Sequence, residues 1–150
     1  DPTEGGIGAA VHEMAYAAGL RITVELDKVR LYPVTGDVCG LFGIDPLGLI
    51  SSGALLIAIG TGRAERLIAR LHAARIEAAA IGSFEAGRGV KAIRNGKPTK
   101  LKWYERDELV RLEDSRNLAQ NEIQPRARKR RSAYLRGDIR EAKIGEKQSR

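Results

Sequence analysis

The sequence predicts an α+β domain of mixed α/β layers, a mixed sheet covered by helices. Three observations carry that expectation. Apolar residues recur at helical spacing in 7–18 and 61–74. Apolar, β-branched runs separate and follow these stretches, at 20–26 and 54–59. Asn95-Gly96 stands between two extended runs, a strong hairpin signal. Helices alternating with strands, then a hairpin, build packed layers.

Each element has its own signal. "IGAAVHEMAYAA" at 7–18 puts Ile7, Val11, Met14 and Ala18 on one helix face, and Gly19 is a natural stop. "LRITVEL" at 20–26 alternates and is β-branched, so it reads as a strand. "VTGDVCGLFG" at 34–43 reads as a short helix, weakened by Gly36 and Gly40. "GIDPLGLI" at 43–50 is a loop that turns at Asp45-Pro46.

"ALLIAI" at 54–59 is continuously apolar, the pattern of a strand buried on both faces. "TGRAERLIARLHAA" at 61–74 is the best helix in the chain. Thr61 is its expected cap, and Leu67, Ile68, Leu71 and Ala74 its expected buried stripe. "EAAAIGSF" at 77–84 reads as a further strand. The hairpin occupies 89–104, with Trp103 and Tyr104 expected to anchor it on the core. "ERDELVRL" at 105–112 closes the body as a short helix.

Charge divides the chain. Residues 1–112 hold 15 Lys/Arg and 13 Asp/Glu, whereas 113–150 hold 11 and 6. The near-neutral body is the expected domain. The basic remainder has few large apolar residues to offset its ordering entropy, so it reads as a disordered tail with transient helix near 133–143. Within it, Arg126, Arg128, Lys129, Arg130 and Arg131 form a dense cluster. That cluster supports an alternative function: a stand-alone domain whose tail binds nucleic acid or an acidic partner. No stretch approaches the roughly 20 apolar residues of a membrane span. A lone Cys39 excludes an internal disulfide, so the chain reads as cytoplasmic. Cys39 itself, in an apolar segment with no neighbouring His, reads as a buried structural thiol.

The opening "DPTEGGIGAA" carries the chemistry. "GIGAAV" at 6–11 superficially matches a dinucleotide fingerprint, but no strand precedes it and Val11 stands where Gly or Ala belongs. "GTG" at 60–62 follows an expected strand, yet Glu65 in the next turn would repel a pyrophosphate. Two readings of the opening turn stand open. Gly5 and Gly6 at a helix start, with Asp1 and Thr3 beside them, form an anion site. Alternatively Thr3 or Asp1 caps the helix and the glycines only permit close packing. "SSG" at 51–53 sits in a turn before the expected strand at 54–59, and it reads either as a plain strand-entry turn or as a turn lining a binding cleft, with Ser52 and Gly53 the candidate residues. His12 and Glu13 are adjacent on a helix and point apart, and His72 stands alone, so no metal site is expected.

"DPTEGGIGAAVHEMAYAAGLRITVELDKV" resembles the opening of the C-terminal domain of the AIR synthase-related (PurM-like) superfamily. Its nearest branch is the hydrogenase expression/formation (HypE) branch. "LFGIDPLGLISSGALLIAI", "AAAIGSFEAG" and "KLKWYERDELVRL" are similar to later family segments, in the same order. The resemblance implies an AIR synthase (PurM) C-terminal domain-like fold over 1–112. It implies an ATP-dependent enzyme whose N-terminal domain precedes Asp1, dimerises, and holds most of the ATP and Mg2+ site. The present domain would cover the cleft and be inactive alone. Carried onto this sequence, Asp1 is the catalytic position, and Thr3, Gly5, Gly6, Ser52 and Gly53 bind substrate or phosphate. Two positions depart from the HypE branch. Glu4 stands where that branch has Arg, and the sequence ends "KIGEKQSR" where that branch ends in Cys.

Overall fold

The computed structural model describes residues 1–117. Residues 1–110 form one compact unit, and the chain from Arg111 onward falls in a second. Of that second unit, the described residues 111–117 are helical. The expected tail with its helix near 133–143 lies outside the described residues, apart from 113–117.

Helix α1 spans Gly6–Ala18 and ends at Gly19, as its spacing predicts. Strand β1, Arg21–Glu25, follows and buries alternate residues. A short 3₁₀ turn, Leu26–Lys28, leads to α2, Pro33–Phe42, which opens on Pro33 at its first turn. A second 3₁₀ turn covers Pro46–Gly48, held by the Asp45 carboxylate, which accepts from the Leu47 N–H. Helix α3 is Ala64–Ala73. Three strands close the unit: β2 Gly82–Glu85, β3 Gly89–Arg94 and β4 Lys97–Thr99. The β3–β4 turn is Asn95-Gly96, both at positive φ (51° and 70°), which is the twist a two-residue hairpin loop requires. The expected closing helix occupies 108–117 and so runs past residue 112.

The four strands form one mixed sheet in the order β2-β1-β3-β4. β1 runs parallel to β3 and antiparallel to β2, and β3 runs antiparallel to β4. Register sets Ile22 beside Val90 and Val24 beside Ala92, so one face of the sheet is apolar. Val11 and Ala15 of α1 pack on that face with Ile22, Val24, Leu26 and Ala92. Leu47, Leu101 and Tyr104 complete the cluster. Tyr104 therefore anchors the hairpin as expected, while its neighbour Trp103 stays half-exposed, edge-on to His12.

Three expectations are corrected. Residues 54–59 are not a doubly buried strand. No strand forms there, and Leu55 (68%), Ile57 and Ile59 are exposed, with only Leu56 turned onto the core. A continuous apolar run records hydrophobicity but not whether neighbours exist on both sides. Second, α3 has no fully buried residue. Leu67, Ile68 and Leu71 are half-buried and Ala74 is exposed. Third, Thr61 does not cap α3. A turn from Gly60 to Arg63 intervenes, and Arg63 takes the cap position without a side-chain bond. The strand expected at 77–84 forms at 82–85, and just before it the Ile81 carbonyl accepts from the Glu25 N–H at 2.7 Å.

Candidate functional site

The opening turn is a chain of short backbone bonds. The Thr3 N–H donates to the Asp1 carbonyl (3.1 Å), and the Gly6 N–H to the Thr3 carbonyl (3.0 Å). Gly5 caps α1 in the left-handed region at φ 71°, and no side chain caps it. This removes the reading in which Thr3 or Asp1 caps the helix. The close-packing half of that reading does describe the glycines. A Cβ on Gly5 would meet the Tyr104 carbonyl oxygen at 2.6 Å. One on Gly6, also left-handed at φ 58°, would collide with the carbonyl oxygens of Leu47 and Leu49. Both positions therefore demand glycine for space and for backbone angle. Pro2 is among the most deeply buried residues, whereas Asp1, Thr3 and Glu4 are exposed.

The structure brings the second turn to the first. The Ser51 N–H donates to the Pro2 carbonyl at 3.0 Å, and Ser51 Oγ donates to the Leu49 carbonyl at 3.1 Å. Ser52 and Gly53 are exposed beyond that bond, and the Ala54 N–H closes the loop onto the Ser51 carbonyl. Asp1, Thr3, Ser52 and Gly53 are thus exposed residues of two turns joined by one backbone bond, while Gly5 and Gly6 form the buried floor. The basic cluster at Arg126, Arg128, Lys129, Arg130 and Arg131 lies outside the described residues.

The other notable residues have structural partners. His12 Nε2 donates to the Leu101 carbonyl at 3.1 Å, and His72 Nε2 donates to the Ala78 carbonyl at 2.9 Å. Asp27 accepts from the Asn95 N–H at 2.6 Å, fastening the hairpin tip, and Glu25 pairs with Lys28. Cys39 is buried, and burial pushes its thiol pKa up, helped by the negative charges of Asp45 and Glu108.

Sequence reasoning missed a second polar group beneath the turns. Tyr104 donates to Asp45 Oδ2, Glu108 accepts from the Asp45 N–H at 3.2 Å, and Lys102 lies 3.5 Å from Glu108. Lys102 also sits over the Tyr104 ring, 4.9 Å from its centroid. The signal for this group is weak in sequence: an Asp-Pro turn and a Tyr in an amphipathic segment, 59 residues apart.

Comparison with known proteins shows the family. Residues 1–95 match the family model described as AIR synthase related protein, C-terminal domain. The chain belongs to this family. The AIR synthase-related domain is 37% identical over 93 residues to the carbamoyl dehydratase HypE of Escherichia coli (strain K12), covering 61% of this chain and 28% of that protein. It superposes on a crystal structure of E. coli HypE, a hydrogenase maturation protein, with a TM-score of 0.66 and 33% identity. That match covers 75% of this chain and 36% of the other. Its likeness to a HypE solved in complex with ATP has a TM-score of 0.64 at 28% identity, covering 71% and 35%. The chain therefore spans roughly a third of the solved HypE chains it matches.

Proposed function

We propose that this domain forms one wall of the active-site cleft of an ATP-dependent, HypE-like enzyme. An N-terminal AIR synthase domain supplies the other wall, the homodimer contact, and most of the ATP and Mg2+ site. The observation that carries the reading is the Ser51–Pro2 bond at 3.0 Å, which sets the exposed Asp1 and Thr3 beside Ser52. Hydroxyls and turn N–H groups suit phosphate oxygens, and a carboxylate suits a substrate donor. HypE bound to ATP is the relative that supports the nucleotide.

The residues present fit a partial site. Among the described residues no group of three His, Cys, Asp or Glu stands together to hold a metal ion. Asp1 and Glu4 give this turn two carboxylates and no third ligand stands with them among the described residues, so Mg2+ and the nucleotide call for ligands from elsewhere. ATP supplies the phosphoryl group that activates a substrate oxygen. The role of this chain is to orient: Thr3 and Ser52 hold phosphate oxygens, Gly5 and Gly6 keep the turn compact, and Asp1 holds the substrate donor. Glu4 stands exposed in the same turn. It repels phosphate where an Arg would pair with it, so the substrate differs in charge or placement from that of the HypE branch.

The test joins this chain to an N-terminal AIR synthase domain and measures ATP turnover. The chain alone is expected to be inactive and the joined protein active, with Asp1→Ala slowing turnover. Efficient hydrolysis by the isolated chain, or an Asp1→Ala variant with an unchanged rate, rejects the proposal.

A further inference from the structure

We propose that Tyr104 is the positioning residue of the Asp1–Gly6 turn, holding from outside the motif the two walls between which that turn is packed. The cleft-facing role of the turn rests on the function proposed above, whereas the positioning argument needs only the packing.

One wall is the first turn of α1, and the other is the 3₁₀ turn Pro46–Gly48. The Tyr104 ring lies in the slot between them. A Cβ on Gly8 would stand 2.5 Å from its Cδ2 and Cε2, and one on Gly48 would stand 2.5 Å from its Cε1. Two glycines that leave room for one ring bring the walls to a fixed separation. The main chain of Tyr104 also touches the turn directly, its carbonyl oxygen and Cβ lying over Gly5.

The hydroxyl adds a second constraint. It donates to Asp45 Oδ2, while Asp45 Oδ1 accepts from the Leu47 N–H at 3.0 Å. That carboxylate orients the carbonyls of Leu47 and Leu49, which cover Gly6. The Leu49 carbonyl then accepts from Ser51 Oγ, and the Ser51 N–H returns to Pro2. A closed path thus runs from Tyr104 through residues 45–51 to the start of the motif. Tyr104 also lies beyond residues 1–95, the stretch that matches the family model. Support for the turn therefore comes from a segment outside the matched stretch.

The experiment compares the whole 150-residue chain with its Y104F, D45A and Y104F/D45A variants by NMR amide shifts and hydrogen exchange. Y104F keeps the ring and removes the link. The Ser51 and Gly6 amides are expected to exchange roughly five- to tenfold faster, while Ile22 and Val24 in β1 keep wild-type protection. D45A, which leaves the ring in place, should move the same amides, and the double variant should add nothing to it. Y16F, altering an exposed tyrosine, should move none of them. A folded Y104F whose shifts change only within 101–108 overturns the proposal. Uniform loss of protection across β1 and the turn also overturns it, because that reports global stability alone. No ATP enters the measurement, so it fails or succeeds independently of the Asp1→Ala turnover test.

Discussion

The phenol of Tyr104 donates to Asp45 Oδ2 at 2.5 Å, joining the segment after the hairpin to the turn after α2. Tyr104 is 4% exposed and belongs to the same apolar cluster as α1 and the sheet. This one pair ties the core to the wall that covers the glycine turn.

An alkaline limit on stability follows. Burial pushes the Tyr104 pKa up, as do the bond to Asp45 and the negative charges of Asp45 and Glu108, so the folded state keeps the phenol protonated. The unfolded chain releases that proton near pH 10, about the ordinary tyrosine value. The contribution is therefore fully present below about pH 10 and is lost as pH rises towards the raised folded value. Urea melts of wild type and Y104F should differ by a constant amount up to about pH 9 and converge above it. A difference that stays constant to pH 11 contradicts this assignment.

The glycines of the chain should separate into two kinds. Gly6→Ala forces a side chain to φ 58° and into two carbonyl oxygens, at an expected cost of about 2–5 kcal/mol. Gly36→Ala lies in α2 with nothing within 4 Å, and should be neutral or stabilise by up to about 1 kcal/mol through helix propensity. Denaturant midpoints measure both. Equal effects at the two positions would remove the packing role of the turn.

Cys39 should be inert in the folded protein. Its pKa is raised chiefly by burial, then by the charges of Asp45 and Glu108, so at pH 8 little thiolate is present and little is accessible. Reaction with a thiol reagent is expected to be slow in the native state and fast in urea. A native rate matching that of a free thiol peptide would place Cys39 at the surface.

Residues 54–59 give a direct check on the corrected strand. Leu55→Ser, at 68% exposure, should cost under about 1 kcal/mol. Val24→Ala, at 1% exposure, should cost about 2–4 kcal/mol even though it removes fewer atoms. A large loss at Leu55 in equilibrium unfolding would restore the buried strand.

Much of the fold was legible because its signals are local. α1, α2, β1 and the Asn95-Gly96 hairpin each depend on neighbours within a few residues, and each forms close to its expected place. The 54–59 stretch departs from its expected strand because hydrophobicity along the chain does not fix burial. Thr61 was misread because a cap must lie directly before the helix, and the Gly60–Arg63 turn moves the helix start to Ala64. The candidate site was half legible. Its residue types stand in two short motifs, but their adjacency rests on one bond across 49 positions, from Ser51 to Pro2.

The amino-acid sequence alone determined where α1 and α2 start and stop, the hairpin turn, and the ordered motifs of the AIR synthase-related C-terminal domain. These follow from backbone preferences and side-chain periodicity, which act over a few residues. Tertiary structure alone decided that Tyr104 is buried while Trp103 beside it is half-exposed, and that the opening turn meets Ser51. It also decided that carbonyl oxygens and an aromatic side chain occupy the space over the glycines. Such outcomes depend on which surfaces remain free once α1 has packed on the sheet, and no local pattern carries that information.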